Sequence, residues 1–505
     1  LRFSSSRQTN QAITKGDAVH EIIDAFSTAG RMLQALRGRQ ISSVELLEGH
    51  LSRIARYDPA LNSIVVRDFE RAREDAADAD RRRSRGADAP LLGLPITIKE
   101  SIDVQGLPST AGVPARKGHR ADADAITVRR LRAAGAVVFG KTNICQWLAD
   151  YQGDNPIYGR TNNPWDQTRT SGGSTAGSAA LAAGLTPLEL GTDMGGSIRV
   201  PAAFCGLWGH KPSAGLVPNS GHFPGSAGYN PGAVLAVQGP HGRSPEDLEL
   251  MLDAVAGPDT GDDVAWRIQL PQARHAQLRD FRVAVLPDRP WVPVDAEVLA
   301  ARDRAVAALG KAGVVVAEVH PPGFDDFREH YALFRSMMWA LVSVRWPAEQ
   351  REKVVADKLA RQDPFHHADA RGIRATAADY MLFLERREAF RAAWRRFFRE
   401  WDILLTPATI VPAFEHSTVP NADRRLAVNG HEVEFEYMSF YPSVPTLAGL
   451  PATALPAGFN KRGLPLGLQA VGPLLEDRTP LAFARLLGRE FQGFQAPPGY
   501  DGVMG

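Results

Sequence analysis

The chain has 505 residues, 44% of them hydrophobic and 23% charged, a composition that suits a globular protein large enough to bury a sizeable core. Its 58 lysines and arginines against 57 aspartates and glutamates leave a formal net charge of +1, which excludes a whole-chain attraction to nucleic acid or to an anionic membrane. No stretch of about 18 consecutive apolar residues exists, so no transmembrane helix is expected.

The first residues, LRFSSSRQTNQAITKGD, lack the apolar segment of a secretory signal, and residues 1–20 read as a flexible tail. Ser42 and Glu45 have the spacing of a capping box, and Val44, Leu47, Leu51 and Ile54 then repeat at helical period until Pro59. A second helix is expected over 65–85, ending in the basic run Arg81-Arg82-Arg83, which reads as a solvated helix end. Residues 94–99 alternate as a strand, with Ile96 and Ile98 on one side and Thr97 and Lys99 on the other. A helix over 125–134 leads to strand-like AVVF at 136–139. Val283–Leu286, a helix near 295–309 and Val314–Val316 repeat the same order. This rhythm predicts an α/β protein with a central mixed, mostly parallel sheet surrounded by helices.

Residues 324–401 change character. Phe327, Tyr331, Phe334, Met338 and Leu341 fall on one helical stripe, and Phe383, Phe390, Trp394, Phe397 and Trp401 fall on another. Such stripes are expected to pack as core, with a wall of the substrate entrance as the competing reading. Asp402–Pro407 reads as a buried strand, and the Pro/Gly-punctuated stretch 446–458 could close the sheet. With no internal repeat and no linker, one large domain over 21–495 is expected, carrying a helical insert at about 324–401 and followed by a C-terminal tail at 496–505.

Gly135–Thr142 matches the phosphate-loop pattern G-x-x-x-x-G-K-[ST] letter for letter. A phosphate loop, however, has its strand before the first glycine and a curled backbone between the two. Here the strand-formers lie between the glycines and a helix precedes them, so nucleotide binding is rejected. Cys145 and Cys205 have neither metal-type spacing nor a disulfide framework. They read as buried free thiols in a reducing compartment, hence a cytoplasmic protein. The adjacent His366 and His367 diverge on any regular element and make a poor metal pair, and His210 reads as structural. No metal is expected.

The chemistry concentrates between residues 171 and 203, SGGSTAGSAALAAGLTPLELGTDMGGSIRVPAA. Two Gly/Ser clusters, at 172–174 and 195–197, offer backbone N–H groups that no Cβ shields, and each carries a hydroxyl. These are the parts of an acyl-transfer site. Ser197, directly after two glycines, is the candidate nucleophile, with the N–H groups of Met194, Gly195, Gly196 and Ser197 as candidate oxyanion hole. No histidine completes the site. Lys99, at the end of an apolar strand that would disfavour its charge, is the candidate base, against the reading of an ordinary surface lysine.

Taken together, LGLPITIKESIDVQG around Lys99, GAVVFGKTN at 135–143, TNNPWDQTRTSGGSTAGSAA at 161–180, GTDMGGSIRVPAAFCGLWGHKPS at 191–213 and TLAGLPATALPAG at 446–458 resemble the amidase signature family. The resemblance spans most of residues 40–475. It implies a cofactor-free hydrolase with Lys99 as base, Ser174 as a bridging serine in a cis peptide, and Ser197 as acyl-enzyme nucleophile. Gly173 and Thr175 flank the bridging serine, while Asp193 and Arg199 buttress the nucleophile loop or form a plain surface ion pair. Two departures stand out: the Ser174–Ser197 interval is one residue shorter than is usual in the family, and Thr175 and Ala176 replace the common Ser and Gly. The aromatic insert at 324–401 motivates a small, rather apolar aryl or alkyl carboxamide as the expected substrate, with esters and carbamates (a urethanase activity) as further candidates. No nucleic-acid or membrane partner is implied, and a homodimer is an allowed assembly. The alternative within the family is the glutaminase subunit of a tRNA-dependent amidotransferase.

Overall fold

The computed structural model describes residues 23–223 and 234–504; the tail expected at 1–20 lies outside them. Eleven strands build one sheet: β1 (Ile64–Arg67), β2 (Pro95–Lys99), β3 (Val137–Thr142), β4 (Leu188–Asp193), β5 (Trp208–Lys211), β6 (Val237–Gly242), β7 (Arg282–Val285), β8 (Val315–Glu318), β9 (Ile403–Pro407), β10 (Ala452–Phe459) and β11 (Pro465–Val471). Their spatial order is β1-β3-β2-β4-β6-β5-β10-β11-β9-β7-β8.

The sheet is mixed, as expected, and its parallel pairs fall into two flanking blocks. β3, β2 and β4 run parallel on one side, and β9, β7 and β8 on the other. Each block contains a strand–helix–strand unit, because the helices Ile126–Ala133 and Ala296–Lys311 supply the crossovers that parallel pairing needs. The centre is antiparallel from β4 through β6, β5, β10 and β11 to β9. There a turn at Asn460–Gly463 joins β10 directly to β11, whereas longer segments link β4 to β5, β5 to β6 and β9 to β10. Parallel pairing is thus confined to the flanks, and β1 adds an antiparallel edge on β3.

Both sheet faces are covered. Ile96, Ile98, Val138 and Leu190 face the main core, while Val137 and Phe139 turn to a second cluster with Leu47, Leu51 and Ile54; this is strand alternation at period two. The capping box at Ser42 and Glu45 forms, and its helix, Ser43–Leu61, runs through Pro59. The helix expected over 65–85 begins later, at Phe69, because Ile64–Arg67 is the edge strand β1. The β-branched Val65 and Val66 there gain a cross-strand partner some 75 residues away that local periodicity cannot reveal. The C-terminal residues 496–504 lie back against the helix Ser43–Leu61: Arg53 donates to Val503 O at 3.0 Å, and Tyr57 to Asp501 Oδ2 at 2.9 Å.

The insert comprises the helices Arg328–Val342, Ala348–Leu359, Pro364–Arg374 and Ala377–Phe397. Gly372 lets the first and third touch, since a Cβ there would collide with Ser336 O. Trp394 is fully buried, with ring centroids 4.4 Å from Phe324 and 5.3 Å from Phe397, so this stripe is core. Trp394→Ala should therefore cost about 3–5 kcal/mol of unfolding free energy, read from urea denaturation, while KM for an amide stays unchanged. A raised KM at full stability would instead favour the entrance-wall reading.

Candidate active site

The ends of three adjacent strands converge on Lys99. It is the last residue of β2 and is completely buried. Its Nζ donates to Ser174 Oγ at 2.7 Å and to Thr192 Oγ1 at 2.7 Å, and it forms no ion pair with any described residue. Burial pulls its ammonium down from the usual lysine range to about 8, against the opposing pull of Cys145, Asp193 and Glu189. The surface-lysine reading is excluded.

Ser174 follows a cis peptide bond from Gly173 and is itself buried. Thr175 beside it donates to Thr192 O at 3.4 Å. Between Ser174 and Ser197 runs a five-residue helix, Ser178–Ala182, followed by Gly184 at a φ of 69°. The Lys99–Ser174 contact forms despite the short interval. Ser197 sits half-buried at the turn before the helix Arg199–Cys205, and among the described residues its hydroxyl has no hydrogen-bond partner. No hydrogen bond between Ser174 and Ser197 is therefore made.

Of the two readings of Asp193 and Arg199, the plain surface pair is excluded, because both are buried. Arg199 Nη2 lies 2.8 Å from Asp193 Oδ1, and its Nε 3.0 Å from Oδ2. The same carboxylate accepts the N–H groups of Gly196 at 2.9 Å and Ile198 at 3.0 Å. Burial works against its ionisation, yet the Arg199 guanidinium and these donors hold Asp193 well below the usual carboxylate range. Arg199 reaches further, to Pro442 O at 2.9 Å, Gln469 Oε1 at 2.9 Å and Thr446 Oγ1 at 3.0 Å. The four-donor oxyanion hole also needs correction. The Gly196 N–H is committed to Asp193, which leaves Met194, Gly195 and Ser197, whose N–H groups bond no described residue.

Tyr151 borders the loop. Its hydroxyl donates to Gly195 O, and its ring meets Phe435 edge-on at 5.8 Å. Pro442 packs against Gly196, whose φ of 108° and lack of a Cβ permit that approach. Sequence reasoning does not single out Thr192, Tyr151, Gln469 or Thr446. Of these, Thr192 lies within the motif at 191–213, and its signal is a hydroxyl two positions before Met194.

The other candidates take structural places. Gly135–Thr142 is mostly strand β3, and Lys141 is buried, bonding Pro108 O and Ser109 Oγ. His210 is buried between Thr453 and Asp477. His366 lies near Asp369 and Glu436, but Lys358 Nζ sits 2.8 Å from both carboxylates and fills the cationic position between them. Cys145 and Cys205 are free and buried. Among the described residues no helix is long and apolar enough to cross a membrane.

This fold, with its glycine-rich loops gathered over a buried amine, defines a class of hydrolases that cleave amide carbon–nitrogen bonds. The amidase family model matches residues 45–481. The chain is 33% identical over 465 residues to the indoleacetamide hydrolase of Bradyrhizobium diazoefficiens, covering 90% of this chain and 85% of that protein. It is 32% identical to one component of the glutamyl-tRNA(Gln) amidotransferase of Nocardia farcinica, covering 89% of this chain and 95% of that component. The solved structure of an amidase, 29% identical, superposes with a TM-score of 0.74 over 92% of this chain and 100% of that one. The chain belongs to the amidase signature family.

Proposed function

We propose that this enzyme hydrolyses a small apolar carboxamide, aryl or alkyl, through an acyl-enzyme on Ser197, with Ser174 and Lys99 as the proton relay. One observation carries the reading: a fully buried amine, free of any carboxylate partner among the described residues, sits 2.7 Å from Ser174 Oγ. In its neutral form Lys99 takes a proton from Ser174 while Ser174 takes one from Ser197, whose oxygen attacks the carbonyl carbon. The N–H groups of Met194, Gly195 and Ser197 stabilise the oxyanion, each donor worth roughly 3 kcal/mol of barrier. The proton then returns through Ser174 to the leaving nitrogen, the C–N bond breaks, and water releases the acid by the same route. Tyr151, whose hydroxyl bonds Gly195 O and whose ring meets Phe435, favours an apolar acyl or amine group beside the loop, in line with the indoleacetamide named for the Bradyrhizobium relative. Two buried thiols fit a reducing compartment, hence the cytoplasm.

The test is amine release from a panel of alkyl amides, arylacetamides, anilides, carbamates and glutamine, followed as a function of pH. Turnover of an apolar amide should rise from acid with a midpoint near the Lys99 value of about 8, since only the neutral amine accepts a proton. A profile flat between about pH 5 and 9 would remove Lys99 as the base. The relation to the Nocardia amidotransferase component sets the competing outcome: glutamine as sole substrate, and only with partner proteins present.

A further inference from the structure

Strand β4 carries an acidic residue between two leucines, Leu188-Glu189-Leu190, and Glu189 is completely buried. It pairs with Thr97 on β2 and with His241 on β6. Paired residues share a sheet face, and Lys99, two positions beyond Thr97, lies on that same face. One carboxyl oxygen accepts the hydroxyl of Thr142, which is the register partner of Lys99 on β3. The other oxygen has no partner among the described residues. The carboxyl group occupies the space above Gly177, where any Cβ would collide with it. The backbone is therefore shaped around this acid.

The titratable groups facing this spot come from every neighbouring element. β6 brings His241 and the loop at 222 brings His222; burial pulls each down to about 3, aided by Lys99, so both are neutral. The segment after β3 brings Cys145, whose thiol burial raises to about 12. Asp193 is neutralised by Arg199. Apart from Lys99, only Glu189 in this set changes charge near neutrality: burial pushes it up to about 7, against the Thr142 bond and the Lys99 amine.

We propose that Glu189 is a positioning residue for the reaction: held by Thr142 on the sheet face it shares with Lys99, its carboxylate sets how readily the Lys99 amine gives up its proton. This rests on the reading of Lys99 as the base. Glu189 forms no ion pair with Lys99, so it acts through space, in an interior where a unit charge is felt more strongly than in water. An ionised Glu189 favours the ammonium and holds the base in reserve; a neutral one releases it.

The acid limb of kcat/KM against pH tests this, with the rate of fluorophosphonate labelling at Ser197 as a second readout. Glu189→Gln should move the midpoint of the limb to lower pH by a fraction of a unit, up to about half a unit. The gain in rate relative to its own plateau is confined to the range between about 7 and about 8, where wild-type Glu189 is charged and Lys99 still titrates, and it vanishes at lower pH, where the wild-type carboxyl is protonated too. Glu189→Asp keeps the charge and should keep the wild-type limb even if kcat falls. If Glu189→Gln does not fold, Thr142→Val should shift the limb in the same direction by less, because the carboxylate loses its hydrogen bond. Coincident limbs for wild type and Glu189→Gln, equal shifts in Gln and Asp, or an unmoved limb in Thr142→Val would overturn the proposal. Failure of the underlying reading shows differently, as Ser197→Ala that still turns over or a wild-type profile without an acid limb.

Discussion

Ser197→Ala should reduce amide turnover by roughly 10⁴-fold or more, because no other group on the loop can carry the acyl chain. Its hydroxyl is half-buried and unbonded among the described residues, whereas Ser174 is engaged by Lys99 at 2.7 Å. That difference separates the two serines. Ser174→Ala should leave slow but measurable hydrolysis, since it removes the bridge and keeps both the nucleophile and the oxyanion donors. Steady-state amine release and labelling by a fluorophosphonate check both variants: Ser197→Ala should lose the label, and Ser174→Ala should label slowly. Full activity in Ser197→Ala would transfer the nucleophile's role elsewhere.

Asp193→Asn should be the most destabilising single change near the site, by about 3–5 kcal/mol, since it leaves the Arg199 guanidinium buried without its counter-charge. The loss should appear as a lower urea midpoint. Activity should fall with it, because the same carboxylate orients the Gly196 and Ile198 N–H groups. The pH dependence has a defined sign. The folded-state value of Asp193 lies below its unfolded one, so its contribution is fully present above the ordinary carboxylate range near ~4. It is lost as pH falls below that range. The stability gap between wild type and Asp193→Asn should therefore narrow in acid, and a gap constant down to strongly acidic pH would contradict the assignment.

The parts of the site that are legible in the sequence are those encoded within a few residues of one another. Ser174, Ser197 and their glycines announce themselves as loops, and Lys99 ends a strand whose alternation is plain. The parts that are not legible depend on distant partners. Nothing local shows that Asp193 and Arg199 are buried, because their burial is made by Pro442, Thr446 and Gln469, some 240 to 270 residues away. The commitment of the Gly196 N–H to Asp193 is a matter of loop geometry that glycine permits without dictating. The parallel flanks follow from strand–helix alternation; the antiparallel centre does not, because strands such as β5 and β10 have no sequence signal for who pairs with whom. Glu189 does leave a trace, as a charge between two leucines, which periodicity alone reads as an exposed position.

The reach of Arg199 to Gln469 also bears on biosynthesis. Lysine and both serines leave the ribosome within the first 200 residues, but the guanidinium that braces their loop finds its last acceptor only when β11 has been made. A nascent chain holding all three side chains is thus still an unfinished enzyme. Hydrolytic competence arrives late in synthesis, together with the closing strands.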